Sequence, residues 1–334
     1  MADFGRRREK VKVGFFAPEG EFPNAIRDGL KQRLVEDTLI QWQPGSAPPA
    51  PDIEVLLALG LVSRSLMEAL PNLAFVQILS DGYEGVDMDA ATELGIRVSN
   101  SPGDITKNAD SVAEYTVLLM LATARHLSVA LASVHDPSIV KPGRGGSLMG
   151  ANVCIVGIGS IGAKIAHRLL AFGAHVTAVD RSPTHAPKFI PTSPLDDLKK
   201  AVADADFVVL SVRATRENTH MIDADVMSSM KKGAILINIA RGSLVDEEAL
   251  CHAIKSGHLG GAGLDVEEHE PVPLDDPLLT LPQVFITPHE AGLTDLNVRG
   301  TVEYALNVLA NIKANQPIDS QLNNPLPRRV SVDR

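Results

Sequence analysis

The chain has 334 residues and a formal net charge of −10, with 45% hydrophobic and 22% charged residues. This length favours two domains over one, and the composition is typical of a globular enzyme. The acidic balance argues against a nucleic-acid or anionic-membrane partner, and the longest apolar run is too short to span a bilayer. We therefore expect no nucleic-acid and no membrane partner.

Strand and helix patterns alternate through the first hundred residues. The predicted strands are 11–16, 55–59, 75–79 and 97–98, and the predicted helices are 25–35 and 63–70. Such alternation indicates a parallel sheet with crossover connections.

A long helix is predicted at 108–125, where apolar residues recur at helical spacing on more than one face. A helix that packs on its own domain needs only one apolar stripe, and this helix has more apolar surface than that. Either the helix is fully buried within the monomer, or it and the linker 127–146 meet a second chain.

A glycine-rich pattern follows the apolar run 153–156, with Gly157, Gly159 and Gly162 at the spacing of a dinucleotide-binding turn. The first glycine permits the tight turn, the second lets the backbone approach a pyrophosphate, and the third lets the next helix pack on the strand. Asp180 ends the second strand of this unit, where a carboxylate can accept both ribose hydroxyls. The pattern predicts a bound dinucleotide.

The type of dinucleotide depends on Asp180. Its carboxylate repels a ribose 2′-phosphate, which favours NAD over NADP. Arg181 keeps NADP open as the alternative, because its guanidinium could cover a 2′-phosphate if Asp180 turned away.

Further strands are predicted at 175–179, 207–210, 234–239, 261–265 and 284–286, enough for a complete Rossmann sheet. A helix at 294–312 returns to the first domain. We predict an α/β fold of two Rossmann-like domains with parallel sheets: a discontinuous substrate domain of residues 1–100 and 289–334, and an inserted nucleotide domain of residues 101–288. The chemistry is expected in the cleft between them, beyond the carboxyl ends of the strands.

Three strand ends of the second series carry Arg241, Glu270 and His289. Reduction of a 2-oxo acid by a nicotinamide needs a cation for the carboxylate, a proton donor for the oxygen, and a group that orients the donor. Arginine, histidine and glutamate fit these roles in that order. Alternatively, the arginine makes a surface ion pair and the acids of segment 267–270 form a solvated face.

The motifs together resemble the D-isomer-specific 2-hydroxyacid dehydrogenase family. The resemblance covers nearly the whole chain and includes NADSVAE at 108–114, the glycine-rich turn, NIARGSLVD at 238–246, GLD at 263–265, EP at 270–271 and TPH at 287–289. It implies that Arg241 binds substrate and that Glu270 and His289 relay the proton.

The resemblance also implies further site residues. The implied cofactor contacts are Ser160, Ile161, Asp180, Val212, Ala240, Arg241, Asp265 and His289. Asp265 would accept the N–H of the nicotinamide carboxamide, and the loop with Asp81 and Gly82 would receive the substrate carboxylate. Asp81 departs from the small or apolar residues common there, and suits a lactate-like substrate only if its side chain points away. The family also implies a homodimer formed through the long helix and the linker.

The two cysteines, Cys154 and Cys251, are widely separated and predict neither a disulfide nor a metal site. This usage favours a cytoplasmic setting.

We thus predict an NAD-dependent oxidoreductase that interconverts a small D-2-hydroxy acid and its 2-oxo acid. Two other readings stay open: an NAD(H)-sensing binding protein like the C-terminal binding protein corepressors, and a phosphite-type dehydrogenase.

Overall fold

The computed structural model describes residues 10–34, 38–140, 143–182 and 186–326 and divides into two compact units. The smaller unit comprises Met1–Asn108 and Leu293–Arg334, and the larger comprises Ala109–Gly292. Both are built on parallel sheets, which confirms the predicted fold class. The assignment of 1–100 with 289–334 to substrate and of 101–288 to nucleotide stays a prediction.

The smaller unit holds a five-stranded parallel sheet of order β2-β1-β3-β4-β5. Its strands are β1 (Lys12–Phe16), β2 (Thr38–Trp42), β3 (Val55–Ala58), β4 (Phe75–Ile78) and β5 (Arg97–Ser99). Its helices are α1 (Glu21–Arg33), α2 (Arg64–Glu68), α3 (Met88–Glu93), α4 (Gly103–Thr106) and, after the larger unit, α11 (Asp295–Ala314).

The central strands of this sheet are buried on both faces. Val55 and Leu57 of β3 join the core under α1 and α11, whereas Leu56 and Ala58 join the core under α2 and α3. Because side chains alternate between faces, such a strand reads as a continuous apolar run. This pattern made β3 and β4 predictable.

The larger unit holds a seven-stranded parallel sheet of order β12-β11-β10-β9-β6-β7-β8. Its strands are β6 (Asn152–Val156), β7 (His175–Asp180), β8 (Thr192–Pro194), β9 (Phe207–Leu210), β10 (Ile235–Asn238), β11 (Gly261–Leu264) and β12 (Val284–Ile286). Its helices are α5 (Asn108–Ala124), α6 (Leu127–His135), α7 (Ser160–Ala171), α8 (Leu198–Val202), α9 (Ala224–Ser229) and α10 (Glu247–Lys255). Side chains of α5 and α7 cover one face, and those of α8, α9 and α10 cover the other.

Two edge strands were missing from the sequence prediction. β2 and β8 each pair with one neighbour only, and β8 is three residues long and ends in proline. Neither has the run of buried apolar residues that marks a central strand. The predicted helix 25–35 corresponds to α1, and residue 35 lies outside the described residues.

The apolar excess of α5 is mostly covered by its own unit. Eleven residues of α5 are buried, although Leu118 is 46% exposed. Burial within the monomer, the first of the two alternatives, therefore accounts for most of the apolar surface of α5. The segment called a linker instead contains α6, which has no buried residue and exposes Leu131 and Val134.

No single described helix is long and apolar enough to cross a membrane. α5 and α6 pass a test of length and composition only as a pair, and that pair is bent by 62°.

Candidate active site

The glycine-rich turn connects β6 to α7 and lies against the end of β9. Gly157 has a φ of +92°, and its N–H donates to the carbonyl of Val179 over 2.8 Å. The hydroxyl of Ser211 donates to the carbonyl of Gly157 over 2.6 Å. Ser211 was not among the predicted site residues, although it directly follows a strand end.

The three glycines have different surroundings. A Cβ at Gly157 would lie 2.8 Å from the Cα and N of Val212, and one at Gly162 would lie 2.2 Å from the carbonyl oxygen of Gly157. A Cβ at Gly159 would have no heavy atom within 4 Å. The first and third glycines are therefore required by packing, while the second leaves open space beside the turn. This is the arrangement a pyrophosphate needs.

The start of α7 faces the same turn. Ser160 is its first residue, and Ile161 packs against the core shared with α5. Gly159 caps the helix without a side-chain hydrogen bond. The first backbone N–H groups of a helix lack partners within it and suit an anion.

Asp180 is held by two backbone donors. The N–H of Ile158 donates to Oδ2 over 2.9 Å, and the N–H of Ser182 donates to Oδ1 over 2.7 Å. A carboxylate has about four acceptor positions, so capacity remains for ribose hydroxyls. Asp180 thus also supports the turn that it adjoins.

The turn after β10 positions Arg241 through Asn238. This buried amide accepts a hydrogen bond from the N–H of Ala240 over 3.1 Å and donates to the carbonyl of Arg241 over 2.9 Å. The guanidinium of Arg241 donates to the carbonyl of Ala240 over 2.6 Å. Sequence reasoning missed Asn238 as a site residue, although it stands at a strand end.

Asp265, after β11, holds the loop that carries His289. The Thr287 hydroxyl and the Glu290 N–H donate to Oδ1 over 2.7 and 2.9 Å, and the Ala291 N–H donates to Oδ2 over 2.9 Å. Burial raises the pKa of Asp265, although these hydrogen bonds oppose the shift. Three of about four acceptor positions are occupied, so its side chain is chiefly a support for the β12 loop.

Glu270 and His289 are brought together from the loops after β11 and β12. His289 Nδ1 lies 2.8 Å from Glu270 Oε2. His289 adopts a φ of +53°, which is uncommon for a residue with a side chain and is found at functional sites. With Nδ1 directed to Glu270, Nε2 is the ring atom left to exchange a proton with a ligand.

Burial raises the pKa of Glu270, but the hydrogen bond from His289 and the charges of His289 and Arg241 outweigh it, so that the pKa lies below its ordinary value. The carboxylate is thus charged at neutral pH. A cation, an acid-base group and its orienting carboxylate therefore belong to the ends of three adjacent strands, β10, β11 and β12.

The alternative of a solvated acidic face is wrong for Glu267, which is 5% exposed. Nothing in the local sequence distinguishes it from Glu268, which is exposed and lies 3.1 Å from His220.

Asp81 and Gly82 belong to the smaller unit. The carboxylate of Asp81 accepts from the N–H of Gly103 over 3.2 Å, and Asn100 Nδ2 donates to the Asp81 carbonyl over 2.7 Å. The carbonyl of Gly82 accepts from the Ser80 hydroxyl over 2.9 Å. The Asp81 side chain is thus turned toward the segment that starts α4.

Two family models match the chain. Residues 117–291 match the D-isomer specific 2-hydroxyacid dehydrogenase NAD binding domain, and residues 47–185 match the catalytic domain of the same family.

Curated relatives carry related activities in their names. The chain is 39% identical over 272 residues to the D-3-phosphoglycerate dehydrogenase of Mycobacterium tuberculosis, which covers 78% of this chain and 50% of that protein. It is 35% identical to the glyoxylate reductase of Thermofilum pendens, over 77% of each chain. It is 37% identical to the hydroxypyruvate reductase of Thermotoga maritima, over 74% of this chain and 79% of that one. The chain spans about half the length of the first of these relatives.

Solved structures share the fold. The NADPH-dependent glyoxylate/hydroxypyruvate reductase of Sinorhizobium meliloti, in complex with NADP and malonate, has a TM-score of 0.80 at 28% identity, over 96% of this chain and 99% of that one. A Thermus thermophilus protein has a TM-score of 0.79 at 30% identity, over 93% of this chain and 100% of that one.

Proposed function

Because the chain belongs to the D-isomer specific 2-hydroxyacid dehydrogenase family and carries its NAD binding domain, we propose that it interconverts a small D-2-hydroxy acid and its 2-oxo acid. The observation that carries the proposal is the 2.8 Å contact between His289 Nδ1 and Glu270 Oε2. Arg241 on the neighbouring strand end supplies the positive charge that an acid substrate needs.

The dinucleotide supplies or accepts a hydride when bound. In the direction of reduction, the guanidinium of Arg241 binds the substrate carboxylate and polarises the carbonyl. His289 Nε2 donates a proton to the oxygen as the C–H bond forms, and Glu270 holds the ring and balances its charge. In the reverse direction His289 accepts the hydroxyl proton.

The proposed cofactor contacts are those expected from the sequence. Gly157, Gly159, Gly162, Ser160 and Ile161 form the phosphate turn, Asp180 accepts the ribose hydroxyls, and Val212, Ala240 and Asp265 adjoin the rest of the dinucleotide. We propose NAD over NADP because Asp180 is negatively charged. The NADP in the Sinorhizobium meliloti relative makes direct measurement of the preference necessary.

The substrate class is proposed from the names of the relatives and from the orientation of the Asp81 carboxylate. Relatives named glyoxylate reductase and hydroxypyruvate reductase match over about three quarters of their length, so these two small acids come first. Because Asp81 is turned to Gly103, its acid does not argue against a plain 2-oxo acid. The loop of Asp81 and Gly82 keeps its proposed role in substrate binding.

A panel of substrates tests the proposal. Glyoxylate, hydroxypyruvate, pyruvate, 3-phosphohydroxypyruvate and, with oxidised cofactor, phosphite are assayed by the change in nicotinamide absorbance. We expect turnover of at least one 2-oxo acid with NADH, lost in His289→Gln. Turnover of phosphite alone, or tight NADH binding without any turnover, would favour the phosphite dehydrogenase or the binding protein instead.

The exposed helix α6 and the two cysteines bear on the assembly and the location of the protein. We propose a homodimer whose interface includes α6, because all of its apolar side chains are at least partly exposed. The cysteines are both free and buried, which fits a reducing cytoplasmic setting.

A further inference from the structure

Glu267 is a buried acid with an unsatisfied oxygen. It is 5% exposed, and its Oε1 is buried without a hydrogen-bond partner among the described residues. A buried polar atom without a partner costs free energy, so its presence in a folded chain calls for an explanation. Its position three residues before Glu270 suggests where that explanation lies.

Four carboxylates of the same sign act on Glu267. Glu270 and Asp265 belong to the same loop, Glu247 is the first residue of α10, and Asp276 precedes a short 3-10 helix. Burial first, and then the charges of these four carboxylates, raise the pKa of Glu267 to about 8. At neutral pH its carboxyl is mostly protonated.

The backbone around Glu267 is tightly packed. A Cβ on Gly242, the neighbour of Arg241, would lie 1.9 Å from the carbonyl carbon of Glu267. The N–H of Glu268 donates to Glu247 Oε1 over 2.7 Å. The backbone of the loop after β11 is therefore held against both the Arg241 turn and α10.

Glu267 belongs to the same loop as the proposed proton relay. Glu270 lies three residues further along, its charge is the largest of those that raise the pKa of Glu267, and it lies 2.8 Å from His289 Nδ1. We propose that Glu267 is a positioning residue for Glu270, and that the loop keeps its shape only while the Glu267 side chain carries a proton. This inference rests on the proposed dehydrogenase function, in which Glu270 acts through His289.

Ionisation of Glu267 would place an unpaired charge in this packed site. The side chain must then reach water, which displaces the loop that also carries Glu270. This displacement affects both directions of the reaction. Loss of the proton from His289 has opposite effects on the two directions, because the ring donates a proton in reduction and accepts one in oxidation. A fall of both rates near pH 8 therefore identifies Glu267.

The test is the pH profile of oxidation. D-Glycerate and glycolate are oxidised with NAD between about pH 6 and pH 10, and wild-type kcat/KM is expected to fall by about tenfold per pH unit above pH 8. Glu267→Gln keeps the shape of the side chain but cannot ionise, so it should abolish this fall. Glu267→Met provides a second neutral variant of similar size. Glu268→Gln removes a charge from the same loop and should keep the wild-type profile.

A second measurement does not need turnover. The downfield NMR signal of the His289 Nδ1 proton, assigned through its absence in His289→Gln, reports the contact with Glu270. It should disappear near pH 8 in the wild type and persist in Glu267→Gln. The inference is overturned if kcat/KM falls, or the NMR signal disappears, at the same pH in wild type, Glu267→Gln and Glu267→Met. It is also overturned if the wild type shows neither the fall of kcat/KM nor the loss of the signal. If no acid is turned over, the proposed function fails and the NMR comparison alone decides the role of Glu267.

Discussion

Gly242 and Glu267 touch through their backbones, because a Cβ on Gly242 would lie 1.9 Å from the carbonyl carbon and 2.0 Å from the carbonyl oxygen of Glu267. The turn that presents Arg241 and the loop that presents Glu270 are thereby fixed to one another. Their spacing is set by this backbone contact.

Replacement of Gly242 by alanine should therefore separate the two loops. We expect Gly242→Ala to lower kcat/KM by about 10²-fold, since small displacements of reacting groups are costly, and to destabilise the fold by about 1 to 3 kcal/mol. Gly143→Ala is the control, because a Cβ there meets no atom within 4 Å. Kinetics and urea unfolding measure both effects, and wild-type kinetics in Gly242→Ala would show that the contact does not matter.

The acid-base pair is tested by removing each member. His289→Gln should lower kcat by about 10²-fold or more with NADH affinity nearly unchanged. Glu270→Gln should move the alkaline limb of reduction to lower pH, because it removes a negative charge that lies 2.8 Å from Nδ1 of the proton donor. That charge is present at neutral pH, since the pKa of Glu270 lies below its ordinary value.

The matched control for Glu270→Gln is Glu268→Gln, whose carboxylate lies 3.1 Å from His220 in a comparable pair. It should leave the profile of reduction unchanged. An unshifted profile in Glu270→Gln, or the same shift in both variants, would refute the assignment.

Cofactor preference depends on the charge of Asp180. Asp180→Ala should narrow the ratio of kcat/KM for NADH over NADPH by about tenfold, since it removes ribose contacts and relieves repulsion of the 2′-phosphate. Asp180→Asn removes the charge and can keep an oxygen for the N–H of Ile158, although it loses the acceptor for the N–H of Ser182. A wild-type preference for NADPH would show that Arg181 outweighs Asp180.

Stability should fall with rising pH because of Glu267. Its pKa is about 8 in the folded chain against 4.5 for an ordinary glutamate, so between these values the folded state keeps a proton that the unfolded state has lost. The free energy of unfolding then decreases by up to about 1.4 kcal/mol per pH unit in this window. Urea unfolding of Glu267→Gln should lack this component, and equal pH dependence in both proteins would argue against a raised pKa.

The dimer is tested on α6. Leu131 and Val134 are 56% and 76% exposed, and light scattering of the wild type at micromolar concentration should give about twice the 35.6 kDa chain mass. Glu at either position should produce monomers, whereas Leu61→Glu, at an apolar residue exposed on the smaller unit, should not. A monomeric wild type would contradict the proposal.

The central elements and the site were predictable where sequence pattern and tertiary role agree. Buried parallel strands are continuous apolar runs, and the segments that follow them lie at one edge of the sheet. This is why Arg241, Glu270 and His289 were proposed, and their roles stay predictions. Glu267 was not predictable as buried, because its backbone packs against the turn of Gly242, which is distant in sequence. The supporting role of Asp265 depends likewise on amides of residues 290 and 291.

The order of the larger sheet has a consequence for how this chain could evolve. The proposed ribose contact, Asp180, lies at the end of β7 and the proposed proton relay follows β11 and β12, with β10, β9 and β6 between them. At about 4.8 Å per strand, the two sites are roughly 19 Å apart, where mutational effects are usually additive. Selection for a different dinucleotide could therefore proceed in lineages without disturbing proton transfer, and the two traits could be recombined between homologues.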